Sequence, residues 1–304
     1  MPTHAASSTE RRHVVWARVY PDLVQHAIPD ARLHYDFMSF TPDFRRSSYA
    51  TDRLVELPCY KAAVTLLVTP DNSLEGLRHR ALRDGKKLLV ATHRLRRGFV
   101  LLDPRYIDED RYETASWLDG MERPGVGQPV SLAKIQQDGI TVDMCAIGGL
   151  AFNQQGVVLW EGSAFFEVQW AMLYDIKALA RETPVAALVH GCQVVNEEEF
   201  ALQRFKPDQT AEVQCDFVVT PERVIQVANA VKPSSGIDLE KLDQDALNNI
   251  PPLQELKGIR MMEDIMHSSG FLQDKGMPND LPPSADELMG IDMVAKLMRG
   301  YKAC

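Results

Sequence analysis

The chain has 304 residues, of which 45% are hydrophobic and 25% are charged, and its formal net charge is −9. This length exceeds that of a small binding module and can bury a sizeable core. No run approaches the roughly 18 apolar residues that a membrane helix needs, so the composition predicts a soluble protein without a membrane partner. The negative charge opposes non-specific binding to nucleic acid, for which only the basic run at 93–97 is a candidate.

Neither the first residues nor the cysteines indicate export. Residues 1–13 contain no apolar run that could form the core of a signal peptide, so we predict a cytoplasmic location. The five cysteines are odd in number, scattered along the chain and never arranged as a CxxC pair. This pattern argues against a disulfide framework and against a thiolate zinc site, and no metal site is predicted.

The first predicted element is an amphipathic helix over 11–25. Its apolar residues recur at helical spacing: Val15, Trp16, Val19 and Leu23. The segment 28–50 is aromatic and punctuated by proline, which indicates a loop that leads into a short helix at 47–55.

A repeating pattern follows Lys61. An apolar run at 62–68 and a turn at 69–73 precede an amphipathic stretch at 74–85 and a second apolar run at 86–91. This order predicts strand, helix and strand, with Gly85 ending the helix. Because both runs are continuously apolar rather than alternating, they favour a parallel sheet that is covered on both faces.

The alternation resumes after the charged stretch 103–128, which we interpret as irregular. A helix is predicted at 165–182 and strands at 142–152, 184–190 and 215–220. The fold class is therefore α/β, a doubly wound, mostly parallel sheet with helices on both faces, over residues 10–232.

Residues 233–304 differ in character and are predicted to form a C-terminal helical extension. They contain two Pro-Pro pairs and short methionine-rich amphipathic runs. Within 286–299 one helix face carries Leu288, Ile291, Val294, Ala295 and Met298. Such a stripe packs on the protein's own core or on a second copy, so a homodimer through the C-terminal helices is one of two alternatives.

The segment Val142–Glu167 resembles the signature region of the 5-formyltetrahydrofolate cyclo-ligase family. The positions in register with that signature are Gly148, Gly149, Ala151, Phe152, Gly156, Leu159 and Gly162. The likeness continues at 183–195 and 215–221 and extends over roughly 10–256, closest to the methenyltetrahydrofolate synthetase domain-containing subgroup. The resemblance implies a cyclo-ligase-like α/β fold.

The resemblance also implies a reaction. In this family ATP, with Mg²⁺, activates the formamide oxygen of 5-formyltetrahydrofolate so that a neighbouring nitrogen closes the ring to 5,10-methenyltetrahydrofolate. That step needs cations and backbone amides around phosphate. Here the family's arginine falls on Val158, a glycine on Trp160 and a basic residue on Glu161. Because a carboxylate repels triphosphate, we expect weakened or lost dependence on ATP.

The residues matched to the family, together with the basic run at 93–97, give three sets of candidates. Nucleotide or anion binding is assigned to Arg12, Gly162, Ser163, Arg96 and Arg97. Substrate binding is assigned to Phe152, Trp160, Phe165, Phe166, Asp71 and Arg94, since aromatic rings offer flat faces to a pterin. The candidate catalytic residues are Glu167, Glu161 and His190.

Structural roles remain open for several of these residues. Phe165 and Phe166 could open a core-facing helix, and the run 92–97 could be a solvated loop. Asp71 could cap a helix. His190 and Cys192 could pair as base and nucleophile, but two residues apart on an extended chain they point the same way without necessarily touching.

The sequence thus predicts a divergent, ligase-like enzyme that acts on a folate or on another N-formyl or amide compound. Its reaction would be cyclodehydration or a related rearrangement of a small-molecule substrate. One alternative is a catalytically inactive homologue that binds a protein partner or RNA. Another is that the family reaction persists with cations from elsewhere in the chain, such as Arg12, Lys61 or Arg97.

Overall fold

The structure is a computed structural model and describes residues 8–31, 33–37, 39–160, 165–196, 198, 212–239 and 249–268. The helices are α1 (Ser8–His26), α2 (Ser47–Val55), α3 (Pro58–Ala62), α4 (Glu75–Arg83), α5 (Tyr112–Ser116), α6 (Leu132–Gln137), α7 (Phe166–Asp175) and α8 (Pro251–Ser268). The strands are β1 (Ala27–Ile28), β2 (Asp43–Phe44), β3 (Thr65–Val68), β4 (Lys87–Ala91), β5 (Phe99–Leu102), β6 (Gln128–Val130), β7 (Met144–Ile147), β8 (Ala151–Asn153), β9 (Val158–Trp160), β10 (Val185–Leu188), β11 (Val194–Val195), β12 (Phe217–Val219) and β13 (Val224–Gln226).

An eight-stranded sheet forms the centre of the fold, in the order β13-β12-β10-β7-β3-β4-β5-β6. The four pairings from β12 to β4 are parallel, and the pairings of β5, β6 and β13 with their neighbours are antiparallel. The prediction of a mostly parallel α/β sheet is therefore confirmed.

Alternate residues of the parallel strands point into two separate cores. Leu67 of β3 and Cys145 of β7 belong to a cluster that contains residues of α6, α7 and the start of α8. Their neighbours Leu66 and Met144 belong to a second cluster, with residues of α2, α3, α4 and α5. Helices therefore cover both faces, as the continuously apolar strands predicted.

The end of α4 shows why local sequence can fix an element boundary. Gly85 has φ of +76°, its amide donates to the Leu82 carbonyl at 3.0 Å, and the Lys86 amide donates to the Ala81 carbonyl at 2.9 Å. These two bonds form a Schellman motif, in which glycine adopts the left-handed conformation without steric cost.

A smaller sheet lies beside the central one. It has the order β11-β8-β9, and α1 packs on it through Val15, Val19 and Leu23. The predicted first helix is confirmed and runs slightly longer, from Ser8 to His26.

Two regular elements differ from the sequence predictions. The stretch interpreted as irregular contains α5, whose Ala115 is fully buried and packs in the second core. The helix predicted over 165–182 ends at Asp175, since Lys177 has φ of +60°. A residue in this left-handed region ends helical hydrogen bonding.

The beginning of α8 is anchored on the α/β domain. Leu253 and Leu256 are buried in the first core. The Glu255 carboxylate accepts hydrogen bonds of 2.9 Å from each of the first two amides of α6. Arg260 donates to the Asp175 carboxylate at the end of α7, at 2.5 Å.

The chain divides into two compact units, Met1–Arg260 and Met261–Cys304, and only 261–268 of the second is described. The boundary that the sequence analysis placed after residue 232 stays a prediction. The predicted amphipathic segment 286–299 lies outside the described residues. No helix in the described ranges is long and apolar enough to cross a membrane.

Candidate functional site

The carboxyl ends of β3, β7 and β10 meet at one edge of the central sheet because the three strands are parallel. The loops that follow carry Asp71, the pair Gly148-Gly149 and the segment 190–193. In open α/β sheets this edge is where ligands bind. We therefore treat these loops as the candidate site.

Asp71 fixes the glycine turn after β7. Its side chain is 4% exposed, and Oδ2 accepts a hydrogen bond from the Gly148 amide at 3.1 Å and another from the Thr69 hydroxyl. A Cβ on Gly148 would lie 2.7 Å from the Asp71 Cβ, so only glycine allows this approach. Burial raises the pKa of the Asp71 carboxyl, although these hydrogen bonds oppose the rise.

Gln193 holds the same turn from the side of β10. Its Nε2 donates to the Gly149 carbonyl at 2.7 Å, and its Oε1 accepts from the His190 amide at 2.7 Å. The glycine turn is thus held by side chains from two neighbouring loops, which preorganises the backbone at this edge.

His190 lies at the same edge in a half-buried environment. Its ring stacks on His26, with centroids 4.1 Å apart, and Phe44 approaches edge-on at 5.7 Å. The Cys192 amide donates to Nδ1 at 3.3 Å, which leaves the proton of the neutral ring on Nε2. Burial, and to a smaller degree His26, lowers the pKa of His190 from its ordinary value of 6.5.

The thiol of Cys192 lies 3.1 Å from Nδ1 of His190. The two side chains do meet, which the sequence left open. Burial raises the pKa of the Cys192 thiol to about 12. A thiolate is therefore disfavoured at neutral pH, and the pair does not have the electrostatics of an activated nucleophile.

The arginines predicted to bind phosphate differ in their surroundings. Arg12 forms an ion pair with Glu212 and donates to the Val158 carbonyl at 3.3 Å. Arg97 forms a two-bond ion pair with Glu122. Arg96 is exposed.

Arg94 lies in the turn after β4. It has φ of +53°, and its residue is half-buried. The turn brings Arg94, Arg96 and Arg97 to the carboxyl end of β4, at the same edge of the sheet as Asp71.

The predicted aromatic residues occupy three kinds of position. Phe152 is fully buried, and Phe166 is 2% exposed and packs against Trp170 with centroids 6.1 Å apart. Phe165 is half-buried at the start of α7 with φ of +53°. Trp160 is half-buried and stacks on Trp16 of α1, with centroids 6.1 Å apart and an interplanar angle of 10°.

The remaining candidates are acidic or belong to the loop before α7. Glu167 lies in the first turn of α7 and is half-buried. Glu161, Gly162 and Ser163 lie outside the described residues. Their assigned roles stay predictions.

Sequence reasoning missed Arg78 and His26. Arg78 is 1% exposed, and its guanidinium donates to the carbonyls of Thr69, Asp71 and Ser116. A signal for it exists, since a charged residue lies among the buried positions of α4 next to Leu77. His26 gave no such signal, because its stacking partner is far away in sequence.

Comparison with known proteins identifies the family. Residues 30–198, more than half of the chain, match the model of the 5-formyltetrahydrofolate cyclo-ligase family. The chain belongs to this family. Membership confirms the resemblance on which the sequence assignments depend.

Curated relatives include the methenyltetrahydrofolate synthase domain-containing proteins of Homo sapiens and Danio rerio. Each is 28% identical over 218 residues, which cover 71% of this chain and 54% of the relative. The chain thus spans about half the length of these relatives. Among solved structures, the NMR structure of Aquifex aeolicus 5,10-methenyltetrahydrofolate synthetase matches with a TM-score of 0.39 and 16% identity, covering 77% of this cyclo-ligase homologue and 98% of that chain.

Proposed function

We propose that this chain is a divergent cyclo-ligase homologue that binds a folate or another N-formyl or amide compound at the carboxyl edge of the central sheet. Its dependence on ATP is weakened or lost. The observation that carries the proposal is the ion pair of Arg12 with Glu212, together with the hydrogen bond of Arg12 to the Val158 carbonyl.

This pairing bears directly on whether a triphosphate fits. Arg12 is matched to the family's phosphate-contacting arginine. It can bind a phosphate only if its ion pair with Glu212 breaks or if the Glu212 carboxylate stays close to the phosphate. At about 4 Å and an effective dielectric near 20, two like charges repel by roughly 4 kcal/mol. Trp160, at a family glycine position, also removes the close backbone approach that phosphate binding needs. The described residues therefore do not fit ATP with Mg²⁺.

The substrate half of the proposal depends on the turn at Gly148. Its backbone is held by Asp71 and Gln193, so a ring or amide could be placed against a fixed surface. The Nε2–H of neutral His190 is a donor suited to a carbonyl oxygen. Without phosphorylation the formyl oxygen must leave as water. That water takes one proton from the nitrogen that closes the ring and one from an acid, for which Glu167 is the candidate.

Two measurements test the proposal. Titration calorimetry of the natural chain should detect binding of 5-formyltetrahydrofolate. In the presence of Mg²⁺ it should detect little or no binding of ATP. A triple variant with Val158→Arg, Trp160→Gly and Glu161→Lys should gain affinity for ATP. The control Tyr106→Ala, at a site 79% exposed, should leave the affinity for both ligands unchanged. Turnover is followed by methenyl absorbance with and without ATP.

The outcomes separate the candidate functions. Tight, magnesium-assisted ATP binding with robust ATP-dependent turnover would refute the proposal and restore the conventional family reaction. Absence of folate binding would favour an inactive homologue. RNA binding by such a homologue would appear as a salt-dependent mobility shift that is lost when Arg94, Arg96 and Arg97 are replaced. The predicted cytoplasmic location belongs to the same proposal and is tested by imaging a tagged chain.

A further inference from the structure

The turn at 190–193 is closed by a reciprocal pair of hydrogen bonds. Nδ1 of His190 accepts from the Cys192 amide at 3.3 Å, and Oε1 of Gln193 accepts from the His190 amide at 2.7 Å. The Cys192 thiol lies 3.1 Å from the same nitrogen. Two groups that can donate thus converge on Nδ1, so the turn requires a His190 ring that carries no proton there.

The same turn supports the glycine turn after β7. Gln193 is 2% exposed, and its Nε2 donates to the carbonyls of Gly149 at 2.7 Å and Leu150 at 3.3 Å. One amide side chain therefore joins the two turns. A proton on Nδ1 of His190 would replace an acceptor by a donor that faces the Cys192 amide. We expect the first turn to shift in that state, and the Gln193 side chain to shift with it.

His26, at the end of α1, opposes the protonation of His190. The two rings stack with centroids 4.1 Å apart and an interplanar angle of 23°. Two positive charges at this distance repel each other, so a proton on one ring disfavours a proton on the other. Phe44 approaches the His190 ring edge-on at 5.7 Å and shields it from water. Burial first, and His26 second, lower the pKa of His190.

The other charged groups around His190 offset one another. After burial and His26, Glu222 raises the pKa of His190 and Arg46 lowers it. These two side chains are 50% and 59% exposed, and they form an ion pair of 3.3 Å with each other. Because solvent screens exposed charges and the pair is neutral in sum, His26 is the neighbouring charge whose removal should matter most.

We propose that the turn at 190–193 is a proton-sensitive support of the glycine turn, and that His26 sets the pH at which this support is lost. With a neutral His190, Gln193 holds the carbonyl of Gly149. With a protonated His190, the acceptor at Nδ1 is gone and the glycine turn is released. This inference concerns the free protein. Its consequence for a ligand, weaker binding of 5-formyltetrahydrofolate at acidic pH, rests on the proposed function.

Heteronuclear NMR of the full chain without ligand tests the proposal. The ring nitrogens of His190 should report the neutral Nε2–H tautomer at neutral pH, and the Gly149 amide signal should move with the same midpoint as the His190 ring. His26→Phe keeps a stacked ring without the charge and should move that midpoint to a higher pH. His79→Gln, on α4, is the matched control, since His79 is not among the groups that shift the pKa of His190.

A further variant and a ligand titration complete the experiment. His190→Asn keeps a side-chain acceptor that does not titrate, so its Gly149 signal should stay fixed over the same pH range. In the natural chain, calorimetry with 5-formyltetrahydrofolate should give about tenfold weaker binding one pH unit below the midpoint, where roughly a tenth of His190 is neutral.

The outcomes separate the parts of the proposal. A His190 ring that titrates while the Gly149 and Gln193 signals stay fixed would overturn the coupling between the two turns. An unchanged midpoint in His26→Phe would overturn the role of His26. Folate affinity that is the same at every pH would overturn the consequence for the ligand. If the turns respond as expected but no folate binds at any pH, the proposed function fails and this inference stands.

Discussion

Replacing Asp71 tests whether this buried carboxyl acts through its hydrogen bonds or through its charge. Oδ2 is the acceptor for both the Gly148 amide and the Thr69 hydroxyl, and an asparagine amide oxygen at the same place can accept both bonds. Asp71→Asn also removes the cost of burying an ionised carboxylate, the cause of the raised pKa of Asp71. We therefore expect Asp71→Asn to change the free energy of unfolding by less than about 1 kcal/mol.

Asp71→Ala removes the acceptor altogether. The Gly148 amide keeps a hydrogen bond of 3.1 Å to the Thr69 hydroxyl oxygen, so it loses only one of its two acceptors. Because this buried donor is less well satisfied and a small void forms, we expect Asp71→Ala to lower the free energy of unfolding by about 2–3 kcal/mol. Urea unfolding followed by circular dichroism measures both variants. If Asp71→Asn proves as destabilising as Asp71→Ala, the charge of Asp71, for example toward Arg78, matters more than its hydrogen bonds and the reasoning is wrong.

Three further predictions concern stability. Glu255→Ala should lower the free energy of unfolding in urea by about 1–2 kcal/mol, because the first two amides of α6 lose their hydrogen bonds to the carboxylate. Glu255→Gln should cost less. Gly156→Ala should cost about 3 kcal/mol or more in thermal unfolding, since φ is +74° and a Cβ would lie 2.4 Å from the Cys215 carbonyl oxygen. The lowered pKa of His190 means that the unfolded chain binds its proton first, so stability should fall as pH drops below 6.5, by at most about 1.4 kcal/mol per pH unit. His190→Asn should flatten that slope, and an unchanged slope would contradict the assignment of this pH dependence to His190.

The interior of the sheet could be predicted because its signals are local. Each parallel strand is a short, continuously apolar run, and Gly85 marks the end of the helix between two of them. The turn at the glycine pair after β7 could also be predicted from local sequence, through the resemblance. What Gly148 does there depends on Asp71, which lies 77 positions away and is brought close only by the pairing of β3 with β7.

The edges of the sheet were harder to predict. Strands β5 and β6 pair antiparallel at one edge and β13 at the other, and such pairing depends on the neighbouring strand rather than on the periodicity of the strand itself.

Phe166 illustrates the same limit within the candidate site. Its position at the start of α7 was predicted, but the sequence left open whether it faces a ligand or the core, and its contact with Trp170 decides for the core.

The two described positions that the sequence prediction assigns to the family's nucleotide loop, Val158 and Trp160, both contact α1. Trp160 is half-buried, because Trp16 stacks on it and His13 approaches its ring with centroids 4.8 Å apart. Arg12, on the same helix, binds the carbonyl of Val158. Three residues of α1 thus contact β9 at two positions that the sequence prediction assigns to nucleotide binding. Restoring the family pattern would remove the Trp160 contacts of α1, so regained ATP affinity must be measured on variants whose folding has been verified.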